Sequence, residues 1–274
     1  MVDLAQRTGV VLRRPGLVVA VVVLVLALLA AVAPALFTGY DPITGVPAEK
    51  LRGPSLAHLF GTDETGRDVF ARVVHGASLS LRATVIAVLV ALVSGSALGL
   101  VAGFRGGVLD TVVMRIVDVL LAIPSILLSL ALVTALGFGT TNVAIAVGIA
   151  NLAAFARLMR AEVLRVRGTV YVEAARASGV RFTGVLGRHV LPNALGPVLA
   201  LATLTLGTAV LEVSALSFLG FGATPPTPEW GALVAGGRNF LATAWWLTTF
   251  PGLTVAAVVL SANRLSRALD GGDR

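Results

Sequence analysis

Cysteine is missing from the 274 residues, which excludes disulfides and thiolate metal sites. Lysine is almost missing as well: the one lysine, Lys50, lies in P-A-E-K-L-R. A phosphate-binding P-loop needs a glycine-rich turn ending in Lys and Ser or Thr. The chain therefore binds no ATP in that manner, and any ATP-driven work falls to another subunit. The three histidines, His58, His75 and His189, are too far apart in sequence for a metal-ligand motif. No Ser–His–Asp order and no pair of carboxylates stands out, so nothing marks an enzyme. Charge is scarce too, at 13% of residues against about 25% in an ordinary soluble domain.

What is abundant is apolar residues, 57% of the chain, in long runs. That composition reads as an all-α, polytopic membrane protein. The net charge of +7 would by itself suggest nucleic acid. The arginines, however, are spread among the intervals between apolar runs, so membrane orientation explains them better and no nucleic acid is expected.

Six spans are expected. Residues 1–16 form an inner N-terminus with Arg7, Arg13 and Arg14, and Leu17–Phe37 is the first span. Ala33-Pro34-Ala35 also resembles a signal-peptide cleavage site, but the run is long for a signal's apolar core, so an uncleaved span is expected. Residues 38–82 balance acids and bases, as an external loop does, and the helical periodicity of Val69, Val73, Val74 and Leu79 adds an interfacial helix there. Residues 83–265 hold five more helices. In the second span Gly95, Gly99 and Gly103 recur every fourth residue, a spacing for close helix packing. The third span ends near Leu136 at the turn Gly137-Phe138-Gly139, and the fourth runs from Asn142 and continues inward past Arg157 and Arg160. The fifth starts at Pro197, the sixth near Leu247, and residues 266–274 are an inner tail. The prolines of P-P-T-P-E-W-G, Pro225 to Gly231, forbid a continuous helix, and Gly231–Trp246 reads as a re-entrant or interfacial helix. Trp230, Trp245 and Trp246 suit the membrane–water boundary.

The interval 158–196 carries the strongest orientation signal, because seven arginines lie between Arg157 and Arg188. Glu173-Ala174-Ala175 starts a helix, Gly179 interrupts it, and a second short helix is expected from Arg181 to Val190, stopped by Leu191-Pro192. Glu173 can pair with Arg176, three residues on. This pattern resembles the EAA loop of ABC-importer permeases, whose coupling helix sits in a groove of the ATP-hydrolysing subunit. The alternative is an amphipathic hairpin without a partner.

Three more strings resemble the dipeptide, oligopeptide and nickel subfamily of those permeases: His58 to Arg72, M-R-I-V-D-V-L-L-A-I-P with Arg115 and Asp118, and L-E-V-S-A-L-S-F-L-G-F-G with Glu212. In the first string, Gly61, Asp63, Gly66, Arg67 and Asp68 are expected to fix the shape of a loop. Arg115 and Asp118 are three apart on a helix and can pair. For these two and for Glu212 a structural role and a place on a pathway both remain open. The ending N-R-L-S-R-A-L-D is shorter than the subfamily's and lacks its glycine–aspartate pair.

The resemblance implies half of a translocation pathway in a bacterial or archaeal inner membrane, with both termini cytoplasmic. It implies a second permease chain, two ATP-binding subunits that hold ATP and Mg, and an external substrate-binding protein, with no cofactor in this chain. Dipeptides or oligopeptides are the expected cargo, with nickel or another small solute as the alternative. Glu173, Ala174, Ala175, Gly179, Arg181, Leu191 and Pro192 are the residues it assigns to coupling. From the residues alone, an ion-coupled secondary transporter or channel and a membrane scaffold also stay open.

Overall fold

A computed structural model describes residues 15–269; Arg7, Arg13, Arg14 and the last five residues, including Asp270, lie outside that range. The described residues are nearly all helical and contain no strand beyond an isolated bridge between Thr62 and Asp68. The helices are α1 (Pro15–Val32), α2 (Val69–Arg105), α3 (Gly107–Ala122), α4 (Ser125–Leu136), α5 (Thr140–Arg167), α6 (Val170–Ala177), α7 (Leu191–Phe218), α8 (Trp230–Gly237) and α9 (Trp246–Leu269). Five of them are long and apolar enough to cross a membrane, and the bent pair α3–α4 makes a sixth span.

Several expected boundaries are corrected. The first helix stops at Val32, not Phe37, because Ala33 leaves the helical region and Pro34 opens a 3-10 turn. The interfacial helix and the second span are one 37-residue helix, since nothing between Val69 and Arg105 breaks the hydrogen-bond ladder. The third span is not straight: it bends by 100° between α3 and α4. Pro124 is the cause, because it forces Ile123 into extended backbone (φ −96°, ψ 129°). Pro197 does not start the fifth span but lies inside α7, and Pro251 lies inside α9. The re-entrant helix is short, and α8 gives way to a 3-10 turn at Arg238–Phe240.

The chain forms two compact units. The first comprises Met1–Val85, Leu136–Ala144 and Leu206–Arg274. Its core holds Trp230, 1% exposed, whose indole N–H donates to Val73 O (2.9 Å). Trp246 is buried as well and donates to Thr62 O (3.2 Å). Both are thus packed inside the protein, and of the three tryptophans only Trp245 is exposed. The loop between α1 and α2, the expected outer loop, is tied by Asp63. One carboxylate oxygen accepts from the Thr65 amide (2.8 Å), the Thr65 hydroxyl (2.7 Å) and the Arg67 amide (3.0 Å), and the other from Arg67 Nε (2.7 Å). Burial alone would raise this carboxyl, but those hydrogen bonds outweigh it and hold it below the ordinary range. Asp68 caps α2 through the Ala71 amide (2.6 Å) and meets His58 Nδ1 at 2.9 Å. Gly66 has φ +82°, and a Cβ there would stand 1.9 Å from Val46 O. The residues expected to shape this loop do so.

The second unit comprises Ile86–Ala135 and Ile145–Thr205. Here α2 and α5 touch backbone to backbone. A Cβ on Gly95 would come within 2.3 Å of Leu152 O, and one on Gly99 within 2.2 Å of Ala156 O. The four-residue glycine spacing is thus a packing device, as expected. α3 leans on the same helix through Val117, which packs with Ala153 and Ala156.

Candidate coupling site and polar ladder

Val170 to Pro192 fold from local chemistry. Val172, 0% exposed, roots α6 in the second unit, while Glu173 and Ala174 point out and Ala175 is half-buried. The helix ends in a Schellman turn: Gly179 takes φ +80° and the Val180 amide reaches back to Ala175 O (3.1 Å). Open space surrounds Gly179. Arg181 is exposed, and Arg176, the expected partner of Glu173, has a side chain outside the described set.

The second half departs from expectation. Leu191-Pro192 does not stop a helix. A short turn, Phe182–Gly184, runs into a π-turn, Val185–Val190, and this continues directly into α7. Leu191 is helical (φ −57°, ψ −49°), with its amide bonded to Leu186 O in the five-residue register. The wider turn makes room for the proline ring, so Pro192 is carried inside the helical run rather than at its end. Val185 and Val190 are buried and anchor this arm as Val172 anchors the other. Tyr171 ties the two together: its hydroxyl donates to His189 O (3.3 Å) and its ring meets the His189 ring edge-on. Exposed Val170 and Tyr171 leave apolar surface on the loop.

α5 carries three arginines that bind successive levels of the same unit. Arg167 Nη1 donates to Gly103 O (2.6 Å), capping the last carbonyls of α2. Arg160 Nη2 meets Asp110 Oδ2 at 2.6 Å, and Arg157 Nη2 meets Asp118 Oδ1 at 2.6 Å. The expected Arg115–Asp118 pair is therefore corrected. Asp118 is held across helices by Arg157, because α3 turns that face toward α5 and leaves Arg115 exposed on its own. Both side chains of this pair are more than half exposed. Glu212 is half-buried on α7, in the first unit.

Sequence reading missed Glu229, the residue before α8. It is fully buried, and Oε2 accepts from the Ala223 amide (3.1 Å) while Oε1 has no partner among the described residues. Burial pushes its carboxyl up, and the Ser217 hydroxyl and Ala223 amide offset this only in part. A carboxylate in a proline-rich loop reads as solvated, and only the fold shows otherwise. The inter-helix arginine pairs were hidden for a similar reason: their partners lie 39 and 50 residues away in the chain.

Residues 95–272 match the model of the binding-protein-dependent transport system inner membrane component, and the chain belongs to that family. Among curated relatives, it is 45% identical to a dipeptide transport system permease protein, DppC, of Alkalihalophilus pseudofirmus, over 81% of this chain and 73% of that one. It is 40% identical to a probable D,D-dipeptide transport system permease protein, DdpC, of Escherichia coli, over 90% of this chain and 82% of that one. A glutathione transport system permease protein, GsiD, of Pectobacterium atrosepticum is 41% identical over 79% and 72%. Among solved structures, an inward-facing form of the MetNI methionine ABC transporter has the same fold, with a TM-score of 0.55 at 21% identity over 72% of this chain and 95% of that one.

Proposed function

We propose that this chain is one transmembrane half of an ATP-driven importer for dipeptides or oligopeptides. The observation that carries this reading is the 40–45% identity, over four fifths or more of the chain, with permeases named for dipeptide transport. ATP and Mg are held by two separate ATP-binding subunits, and this chain is not itself catalytic. A second permease supplies the other half of the pathway, and an external binding protein delivers the cargo. Both termini are cytoplasmic, in keeping with the seven arginines between Arg157 and Arg188.

Within this reading α6 is the coupling helix. Three buried valines, Val172, Val185 and Val190, support its rigid elbow, and Glu173, Ala174 and Gly179 face outward as a partner's groove requires. Leu191 and Pro192 pass the push directly into α7, because no loop intervenes. Arg181 adds positive charge to the rim. The Asp118–Arg157 pair is assigned to a water-filled pathway or a permease–permease seam, since an ion pair this exposed on a span is costly in lipid.

The test is reconstitution in vesicles with the partner subunits. Labelled dipeptide should enter only with ATP, an ATPase subunit and the binding protein. Uptake driven by a proton or sodium gradient with this chain alone would overturn the reading in favour of a secondary transporter.

A further inference from the structure

A cavity of about 360 Å³ opens within the first unit, between α1, the outer turns of α2, and α9. Alanines create the space: Ala27 and Ala30 on α1, Ala77 on α2 and Ala257 on α9. Phe60 and the Trp230 ring close other sides. Thr254 and Trp230 bring the polar side-chain atoms of the wall, and both are already spent, the hydroxyl on Phe250 O (2.9 Å) and the indole N–H on Val73 O (2.9 Å).

The cavity is open on one side, and left empty its lining atoms would forfeit dispersion contacts. Water is a poor occupant, since a buried water needs two to four polar partners and the wall offers none. What fits is a slender, flexible, wholly apolar chain. The cavity is walled by membrane-spanning helices, so the medium at its mouth is hydrocarbon.

We propose that this cavity is a binding site for one acyl chain of a membrane lipid, which wedges α1 against α2 and α9. The walls from α1 and α2 precede residue 95, where the family match begins, and those from Trp230 and α9 lie within it. It requires only that the chain lies in a bilayer, and it stands or falls apart from the cargo.

Trp230 lines the cavity and is 1% exposed, which makes it a built-in reporter. The full chain carrying Trp245→Phe and Trp246→Phe is placed in nanodiscs of phosphatidylglycerol, with or without bromine at mid-chain. Brominated chains should quench Trp230, and acrylamide should not. Filling the cavity with Ala27→Leu and Ala77→Leu should restore the emission; Ala257→Leu, on another wall, serves if that double variant is not recovered. Three results would overturn the site: no quenching by brominated lipid, equal quenching in the filled variants, or quenching by acrylamide. Loss of the lipid quenching when a second permease chain is added would overturn it too, assigning the cavity to that protein.

Discussion

The outer loop and the coupling loop are both polar intervals with a glycine in the left-handed region, yet they are built in opposite ways. In the outer loop a core of charged and polar groups points inward, while Asp41, Lys50, Arg52 and Glu64 stay exposed. Asp63, Asp68 and His58 are buried and hydrogen-bonded, and Gly66 is pressed against the Val46 carbonyl. In the coupling loop, buried valines form the anchors, the polar groups point out, and nothing crowds Gly179. The outer loop is complete within this chain. The coupling loop is rooted by buried valines, and in the proposed reading its outward face is finished by an ATPase subunit. Dense satisfaction of polar groups thus marks a structural loop, and a well-rooted but bare polar arm marks a docking one.

The largest effect that separates the two is steric. Gly66→Ala puts a Cβ into backbone and should cost on the order of 3 kcal/mol or more, while Gly179→Ala pays only the left-handed conformation, about 1–2 kcal/mol. Thermal unfolding of the two purified variants checks this, and equal losses would erase the distinction.

A smaller effect separates two carboxyls of the same unit by the sign of their pH dependence. Asp63 is held below the ordinary range, so the stability it gives is full above about pH 4 and is lost as pH falls further, through its lower folded value. Asp63→Asn should flatten that acid slope, at a cost of about 1–3 kcal/mol at neutral pH. Glu229 is raised, so the folded state keeps a proton that the unfolded state has released, and stability falls as pH rises above the ordinary carboxyl value of about 4.3. Glu229→Gln should remove that decline and be tolerated better than Glu229→Ala. Melting temperature against pH for the parent and these variants reads both signs.

The smallest perturbation tests sidedness without disturbing either loop. Leu56 is 99% exposed, and Leu56→Cys and Thr227→Cys should react with an impermeant thiol reagent from outside intact cells, whereas Thr183→Cys should not. Labelling of the last would reverse the proposed orientation.

Much of this was legible in the sequence. Long apolar runs, glycine spacing and arginine asymmetry report on hydrocarbon thickness and close packing, which are set locally. The Asp63 loop and the Gly179 elbow were legible because turn chemistry is local too. What escaped depends on tertiary context. Pro124 breaks a span while Pro192, Pro197 and Pro251 do not, since a π-turn and neighbouring helices decide whether a proline is absorbed. Arg157 rather than Arg115 binds Asp118, because helix rotation selects the partner, not spacing.

The coupling loop carries the proposed function, and one measurement addresses it directly. Glu173→Ala and Gly179→Val are expressed with the partner subunits, and ATPase co-purified per permease is measured together with dipeptide transported per ATP hydrolysed. Both variants should reach the membrane yet bind less ATPase or hydrolyse without transport, while the outer-loop control Thr227→Ala keeps both values. If Glu173→Ala and Gly179→Val also keep them, the loop is not the coupling element and the contrast between the two loops has no functional meaning.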